Sequence, residues 1–432
     1  MFVALDLGTT TLVGRLQSVD GHLLAEVRHF NPQRIHGADI LTRLQHANDG
    51  GGAELQQLLA EGLHALVAEL LTQAGCPAAA VTAVAAAGNP GICHLLCRLP
   101  VKSLLYPPHR SPLTALTSIP PTDLDLGLLA PLQLFPAISG FVGGDLVAVL
   151  FRGLGTGDWG LADNNQQPAT SNQQRITSPQ PPAPSPCLVL DLGTNAELAL
   201  WTGSRWLVTS AAAGPAFEAG NVACGMTLAA GAVTDVSLRG DRLELTVSGG
   251  GRPAGLCGSG LLALVAAARQ GGLIDAGGRI VAPEEVGTNL ARYLVPAGEG
   301  WTIRFHRDAR GELCLTQDDV RQLQLAKGAV RAGIEALLER TGLAAGDVAG
   351  VFITGAFGAA LPATAVKGIA MLPESMVDKF FFVPNGVLDG LAAFLADSRG
   401  AERLQALLAT IKPLPLSGTP AFEKRFLAAL EF

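Results

Sequence analysis

The sequence predicts an α/β protein made of two similar halves, and three observations lead there. VALDLGT at residues 3–9 returns almost unchanged as LVLDLGT at residues 188–194, a spacing too long for a solenoid repeat and suited to a duplicated domain. Each copy is followed by short apolar runs separated by turn residues, and then by helical periodicity. Between the copies lies GLADNNQQPATSNQQRITSPQPPAPSP, rich in Gln, Asn, Ser and Pro. That stretch lacks apolar periodicity and reads as a disordered linker or surface loop. The expected organisation is an N-terminal domain over 1–158, a linker over 159–186 and a C-terminal domain over 187–432.

Within the first half, FVALDLG reads as a buried strand, and two further strands with a turn at Asp20-Gly21 complete a meander. Asp39 is placed to cap a helix over ILTRLQHA, and ELQQLLAEGLHALVAELLTQAG has the helical period with a glycine stop. In the second half, LVLDLGTNAELALWTGSRWLVTSAA repeats the meander around Gly203-Ser204. Two hairpins are expected around Gly240-Asp241 and Arg310-Gly311. Thr316 opens a long amphipathic helix with a capping-box pattern, and VAGVFITGAFG is a buried strand running into a glycine turn, where the next helix is expected to start.

Composition narrows the function. The chain has 432 residues, 48% hydrophobic and 16% charged, with a formal net charge of −7. A phosphate backbone is therefore not an expected partner, because nucleic-acid binders concentrate Lys and Arg. No leader or uninterrupted apolar span is evident, so the expectation is a cytoplasmic protein that does not enter membranes. The seven cysteines are scattered and read as reduced thiols. Cys93 and Cys97 have a spacing that can hold a metal on a helix, but small apolar side chains in a buried helix are the favoured reading.

The two LDLGT turns carry chemistry. Gly8 and Gly193 let successive N–H groups face one anion, while Thr9, Thr10, Thr194 and Asn195 offer further donors. Asp6 and Asp191, held one layer back, suit a hydrated Mg²⁺, which keeps most of its waters and takes one or two carboxylates. Opposed cradles of this kind can clamp the phosphates of a nucleotide between two domains. Gly355 and Gly358 in ITGAFG would let the backbone approach a nucleoside. The chain has no Gly-x-x-x-x-Gly-Lys and no Gly-x-Gly-x-x-Gly motif, which removes the P-loop and dinucleotide readings.

Strand-DLGTTT, SGFVGGD, the second strand-DLGTNAE and ITGAFG resemble the phosphate, connecting and adenosine motifs of the acetate/sugar kinase, heat-shock chaperone and actin superfamily. NPQRIHGADILTRL, AAGNPGICHLL, AAAGPAFEAGNVACGM, GLCGSGLL, QLAKGAVRAGIEALL and PAFEKRFLAALEF extend the resemblance to the reductive activators of corrinoid proteins, over nearly the whole chain apart from the linker. The resemblance implies duplicated ribonuclease-H-like domains with an interdomain nucleotide cleft. It also implies ATP hydrolysis with Mg²⁺ and conversion of a Co(II) corrinoid protein to Co(I).

Asp145 is then the candidate base or water-orienting group, Glu218 a helper at the γ-phosphate, and Lys327 a residue approaching the adenosine. Asn385 and Gly390 survive in a late helix that otherwise departs from the family's small-residue run. Family members carry an iron–sulfur domain that these 432 residues lack, so a separate low-potential electron donor is the expectation. A homodimer is expected as well. Cys224 and Cys257 could meet across its interface to hold a cluster, as in related dehydratase activators, although a cluster there is the disfavoured reading. The alternative activity is a small-molecule kinase acting on a sugar or carboxylic acid with Asp145 as base, and a third is a nucleotide-gated binding protein with negligible turnover.

Overall fold

A computed structural model describes residues 1–153 and 185–432, apart from 356, 358, 360 and 417. Linker residues 159–184 and Gly358 therefore lie outside the described residues.

The first half begins with β1 (Phe2–Leu7), β2 (Thr11–Gln17) and β3 (Leu23–Phe30), an antiparallel meander. β4 (Ala83–Gly88) then pairs parallel to β1, and β5 (Thr117–Ile119) and β6 (Leu132–Leu134) finish a sheet of order β3-β2-β1-β4-β6-β5. The second half repeats this plan. β7 (Cys187–Leu192), β8 (Asn195–Trp201) and β9 (Trp206–Ala212) form the meander. Two small three-stranded sheets follow. One is β10 (Ala232–Arg239), β11 (Arg242–Val247) and β12 (Gly255–Leu256), and the other is β13 (Leu294–Ala297), β14 (Gly300–Asp308) and β15 (Gly311–Leu315). β16 (Gly350–Gly355) pairs parallel to β7, and with β17 (Phe380–Phe382) and β18 (Ile411–Pro413) it gives the order β17-β16-β7-β8-β9-β18. Strand for strand, β3-β2-β1-β4 and β9-β8-β7-β16 are the same arrangement. This is the duplicated ribonuclease-H-like fold.

Local sequence explains the helices between the strands. Asp39 accepts from Thr42 N at 2.9 Å to start helix Ile40–His46, and Gly75 in the left-handed region ends helix Gly52–Ala74. Thr316 and Asp319 form a reciprocal capping box on helix Gln317–Thr341. Both expected hairpins are present, as β10–β11 and β14–β15. One start differs from expectation. After β16 the next helix begins only at Ala363, because Phe357 turns inward to pack on Phe217 and Pro362 sets the helix start.

Strand alternation decides what faces the middle of the molecule. Val3, Leu5 and Leu7 of β1 enter the N-terminal core, and Leu188, Leu190 and Leu192 of β7 enter the C-terminal core. Ala4, Cys187 and Val189 belong instead to a third core shared by both halves. With a side-chain period of 2, Asp6 shares a face with Ala4, and Asp191 shares one with Val189. Both aspartates therefore point between the halves.

The shared core is built around two helices, Gly144–Phe151 and Gly386–Ala396. The second comes from the C-terminal half yet packs on β1 and β4 of the N-terminal sheet. Gly390 makes the crossing possible, since a Cβ there would lie 1.8 Å from the Ala148 carbonyl oxygen. Among the described residues, no helix is long and apolar enough to cross a membrane.

Candidate functional site

The two meander turns open into one cleft. Gly8, Thr9 and Thr10 line one side, and Gly193, Thr194 and Asn195 line the other. Asp6, Asp145, Asp191, Glu218 and Gly355 complete the set of sequence-derived candidates found there.

Each turn is held by the chain around it. Asn31 caps the short helix Pro32–His36 and donates from Nδ2 to the Gly8 carbonyl at 3.0 Å, while its own N–H bonds the Thr10 carbonyl at 2.9 Å. Asn89 donates to Thr9 Oγ1 at 3.0 Å and caps helix Pro90–Leu96 through Ile92 N. Gly8 has no room for a side chain, since a Cβ would meet the Thr11 carbonyl oxygen at 2.4 Å. At the second turn, Thr194 donates from N and Oγ1 to Glu218 Oε1, at 2.9 and 3.0 Å. Glu218 thus occupies the donors that an anionic phosphate would seek. At Gly355, φ is +134° and a Cβ would come within 2.0 Å of the Leu192 carbonyl oxygen, so β16 and β7 approach closely at the cleft floor.

The cleft is strongly acidic. Burial raises Asp6 to about 7, with Asp145 and Glu218 adding to the rise and Arg28 opposing it. Burial also lifts Asp191 well above the usual carboxylate range, helped by the negative charges of Asp145, Asp6 and Glu218. Asp145 bonds Glu197, and burial raises both. Besides burial, the adjacent Asp145 and Asp191 charges raise Glu197, and Asp145 also accepts from Leu146 N at 2.9 Å.

Glu197 was not among the sequence candidates, although the signal was available. It sits directly across from Asp191 in the β7–β8 register, on the face shared with the interdomain core. Arg28, the cation of the cleft, was also missed. It donates to Asn385 Oδ1 at 2.8 Å and pairs with Glu26 at 2.9 Å, so it spans the halves at the cleft edge.

Lys327 is not in the cleft. It is 1% exposed on helix Gln317–Thr341, donates to the Glu431 carbonyl and sits 5.1 Å from the Phe432 ring centroid. The C-terminal residues cover that face, which the family resemblance had turned toward the adenosine. The cysteine candidates are absorbed by packing. Cys93 is buried, Cys257 Sγ donates to the Val233 carbonyl, and Cys224 Sγ donates to the Cys314 carbonyl with its thiol pushed up to about 12 by burial.

The donor chemistry fits a hard divalent cation with phosphate. Carboxylate oxygens surround the cleft, several raised chiefly by burial with neighbouring negative charges adding to the rise, and glycine-lined turns present N–H groups beside them. These carboxylates do not converge as direct ligands of one ion. Among the described residues, only His36, His46 and Glu54 bring three ligand atoms within 4.8 Å of one another. A cation in the cleft would keep water in its shell, as Mg²⁺ does.

Residues 1–154 match the RACo middle region, and residues 185–432 match the C-terminal domain of RACo, the ASKHA domain. The chain belongs to the RACo family. Among curated relatives of this RACo-family chain is the corrinoid activation enzyme RamQ of Eubacterium limosum, 27% identical over 98% of this chain and 69% of its own length. The [Co(II) methylated amine-specific corrinoid protein] reductase of Methanosarcina barkeri is 29% identical over 44% of this chain and 35% of its own length. A solved structure described as a reductive activator for corrinoid, iron-sulfur protein superposes with a TM-score of 0.86 at 24% identity, covering 99% of this chain and 65% of that one. The RACo-family chain therefore spans about two-thirds of the length of two of these proteins and about a third of the other.

Proposed function

We propose that this chain binds Mg·ATP in the interdomain cleft, hydrolyses it, and uses the cycle to bring a Co(II) corrinoid protein to Co(I) with an electron from a separate low-potential donor. The observation that carries this reading is the meeting of both LDLGT turns in one acidic cleft of a chain aligned along 98% of its length with a corrinoid activation enzyme.

The residues have distinct tasks in this proposal. The N–H and hydroxyl groups of the Gly8–Thr10 and Gly193–Asn195 turns hold phosphate oxygens from opposite halves. Asp6 and Asp191 anchor the water shell of Mg²⁺, which when bound supplies charge neutralisation at the phosphates. Asp145, hydrogen-bonded to Glu197, orients and deprotonates the attacking water. Phosphate arriving at Thr194 displaces Glu218 from its two donors. That exchange links nucleotide occupancy to the segment Pro215–Glu218 and gives the two halves a state that depends on what is bound.

Co(II) reduction is strongly uphill, and a nucleotide can help only through a state that binds the partner differently. ATP hydrolysis should therefore rise on addition of a Co(II) corrinoid protein, roughly 5- to 150-fold for a typical coupling of about 1–3 kcal/mol. The Co(I) absorption spectrum should develop only with ATP, this chain and a low-potential reductant all present. If corrinoid proteins leave hydrolysis unchanged and a sugar or carboxylic acid becomes phosphorylated, the chain is a small-molecule kinase and the proposal fails.

A further inference from the structure

Away from the cleft, three side chains from three separate elements converge in the N-terminal half. His36 ends the short helix Pro32–His36, His46 ends helix Ile40–His46, and Glu54 lies in the first turn of helix Gly52–Ala74. The imidazoles stack with centroids 4.3 Å apart and planes 13° apart. Both Nε2 atoms address one carboxylate, His36 at 3.1 Å from Oε1 and His46 at 3.4 Å from Oε2.

Two features go beyond an ordinary ion pair. His36 Nε2 is inaccessible to solvent, and although Glu54 Oε1 stands 3.1 Å away the two are not aligned as a hydrogen bond, so the buried ring nitrogen has a carboxylate neighbour but no hydrogen bond. Gly51 has an ordinary φ of −81°, a conformation open to any residue, yet a Cβ on it would stand 2.1 Å from His46 Nε2. The missing side chain at that position is what lets the His46 ring lie against the backbone at the start of the next helix.

We propose that His36, His46 and Glu54 form a binding site for one divalent first-row transition ion of the zinc class. Two imidazole nitrogens and one carboxylate oxygen are the donor set such ions take, at about 2.0–2.2 Å, with the remaining position left to water. The three ligand atoms already lie within 4.8 Å of one another, and small side-chain rotations bring them to bonding distance. Binding displaces any proton on the two Nε2 atoms and gives the buried His36 nitrogen the directed bond that Glu54 does not supply. The ion would tie together the helix that begins at Asn31, the helix capped by Asp39 and the N-terminus of helix Gly52–Ala74. It therefore braces the segment that also holds the Gly8 turn.

The test uses the full chain, stripped with a chelator and titrated calorimetrically with Zn²⁺, and separately with Co²⁺ followed by visible absorption. The expected result is one equivalent of Zn²⁺, and a Co²⁺ spectrum of nitrogen and oxygen ligation without a thiolate charge-transfer band. His46→Ala and Glu54→Gln should each weaken binding at least ~10-fold, the lower range for losing a supporting group at a metal site. Glu54→Gln alters an exposed side chain, so circular dichroism should show it folded even if a histidine variant is not. No binding to the wild-type chain, equal binding in folded Glu54→Gln, or a thiolate band would each overturn the assignment.

Discussion

Arg15 donates from Nη1 to Asp389 Oδ1 at 2.6 Å, joining β2 of the first half to helix Gly386–Ala396 of the second. Arg152 meets the other Asp389 oxygen at 3.1 Å, and Arg15 also bonds Glu26 from Nε and Nη2. Asp389 thus receives two cations from the N-terminal half, one of them nearly buried. Asp389→Ala leaves Arg15 with Glu26 alone and should cost about 2–4 kcal/mol, toward the range for breaking a buried pair. Denaturant unfolding measures this directly. An unchanged midpoint would mark the contact as a screened surface pair.

Asp6→Ala and Asp191→Ala should each lower ATP turnover at least ~10²-fold, the lower range for removing a positioned catalytic group. The companion measurement is Mg²⁺ dependence, since each variant should need more Mg²⁺ to reach half-maximal rate. Wild-type turnover in a folded variant would remove that residue from the site.

Glu218→Ala separates competition from catalysis. It frees both Thr194 donors and removes one negative charge from the cleft, so ADP should bind roughly 10-fold more tightly, a gain of about 1.4 kcal/mol. Hydrolysis should nonetheless slow, because the displaced carboxylate is part of the proposed γ-phosphate environment. Equilibrium binding and steady-state rates, taken together, decide the matter; weaker ADP binding would show that Glu218 supports the turn rather than competing for it.

The cleft predicts an unusual pH dependence. Asp6 holds its proton up to about 7 in the folded chain, against an ordinary value of 3.8. A proton bound more tightly by the folded state stabilises it at low pH, and that contribution is lost as pH rises through the window between the two values. The nucleotide-free chain should therefore unfold at lower temperature near pH 8 than near pH 5, and Asp6→Asn should flatten the difference. Mg²⁺ must displace the same proton, so its affinity should rise with pH over that window. A profile without this fall would mean that Asp6 is ionised throughout.

Much of the fold was legible because it rests on local signals. The repeated LDLGT strand, the capping residues Asp39 and Thr316, and the glycine stop at Gly75 act within a few residues of where they stand. Strand alternation even fixes the direction of Asp6 and Asp191. What stayed hidden depends on partners distant in sequence. Glu197 matters through its cross-strand position opposite Asp191, and Arg28 through Asn385 across the cleft. Lys327 was misplaced for the same reason, since only the returning C-terminus shows that its helix face is covered. The late start of the helix after β16 follows from the inward turn of Phe357, which the glycines of ITGAFG do not reveal.

The helix Gly386–Ala396 lies on the sheet of the opposite half, and Gly390 lets it press against the backbone at Ala148. Neither half owns the whole of its own inner wall. A chain severed anywhere between residues 153 and 185 should therefore travel as one particle, the two fragments complementing each other, while either fragment made alone would present Ala4, Val189, Leu391 and their neighbours to water. The same interlock restricts how the halves can move during a nucleotide cycle. Swinging them apart like the leaves of a book would strip that shared layer and expose it to water, so a motion that keeps the helix seated on the strands beneath it is the less costly one.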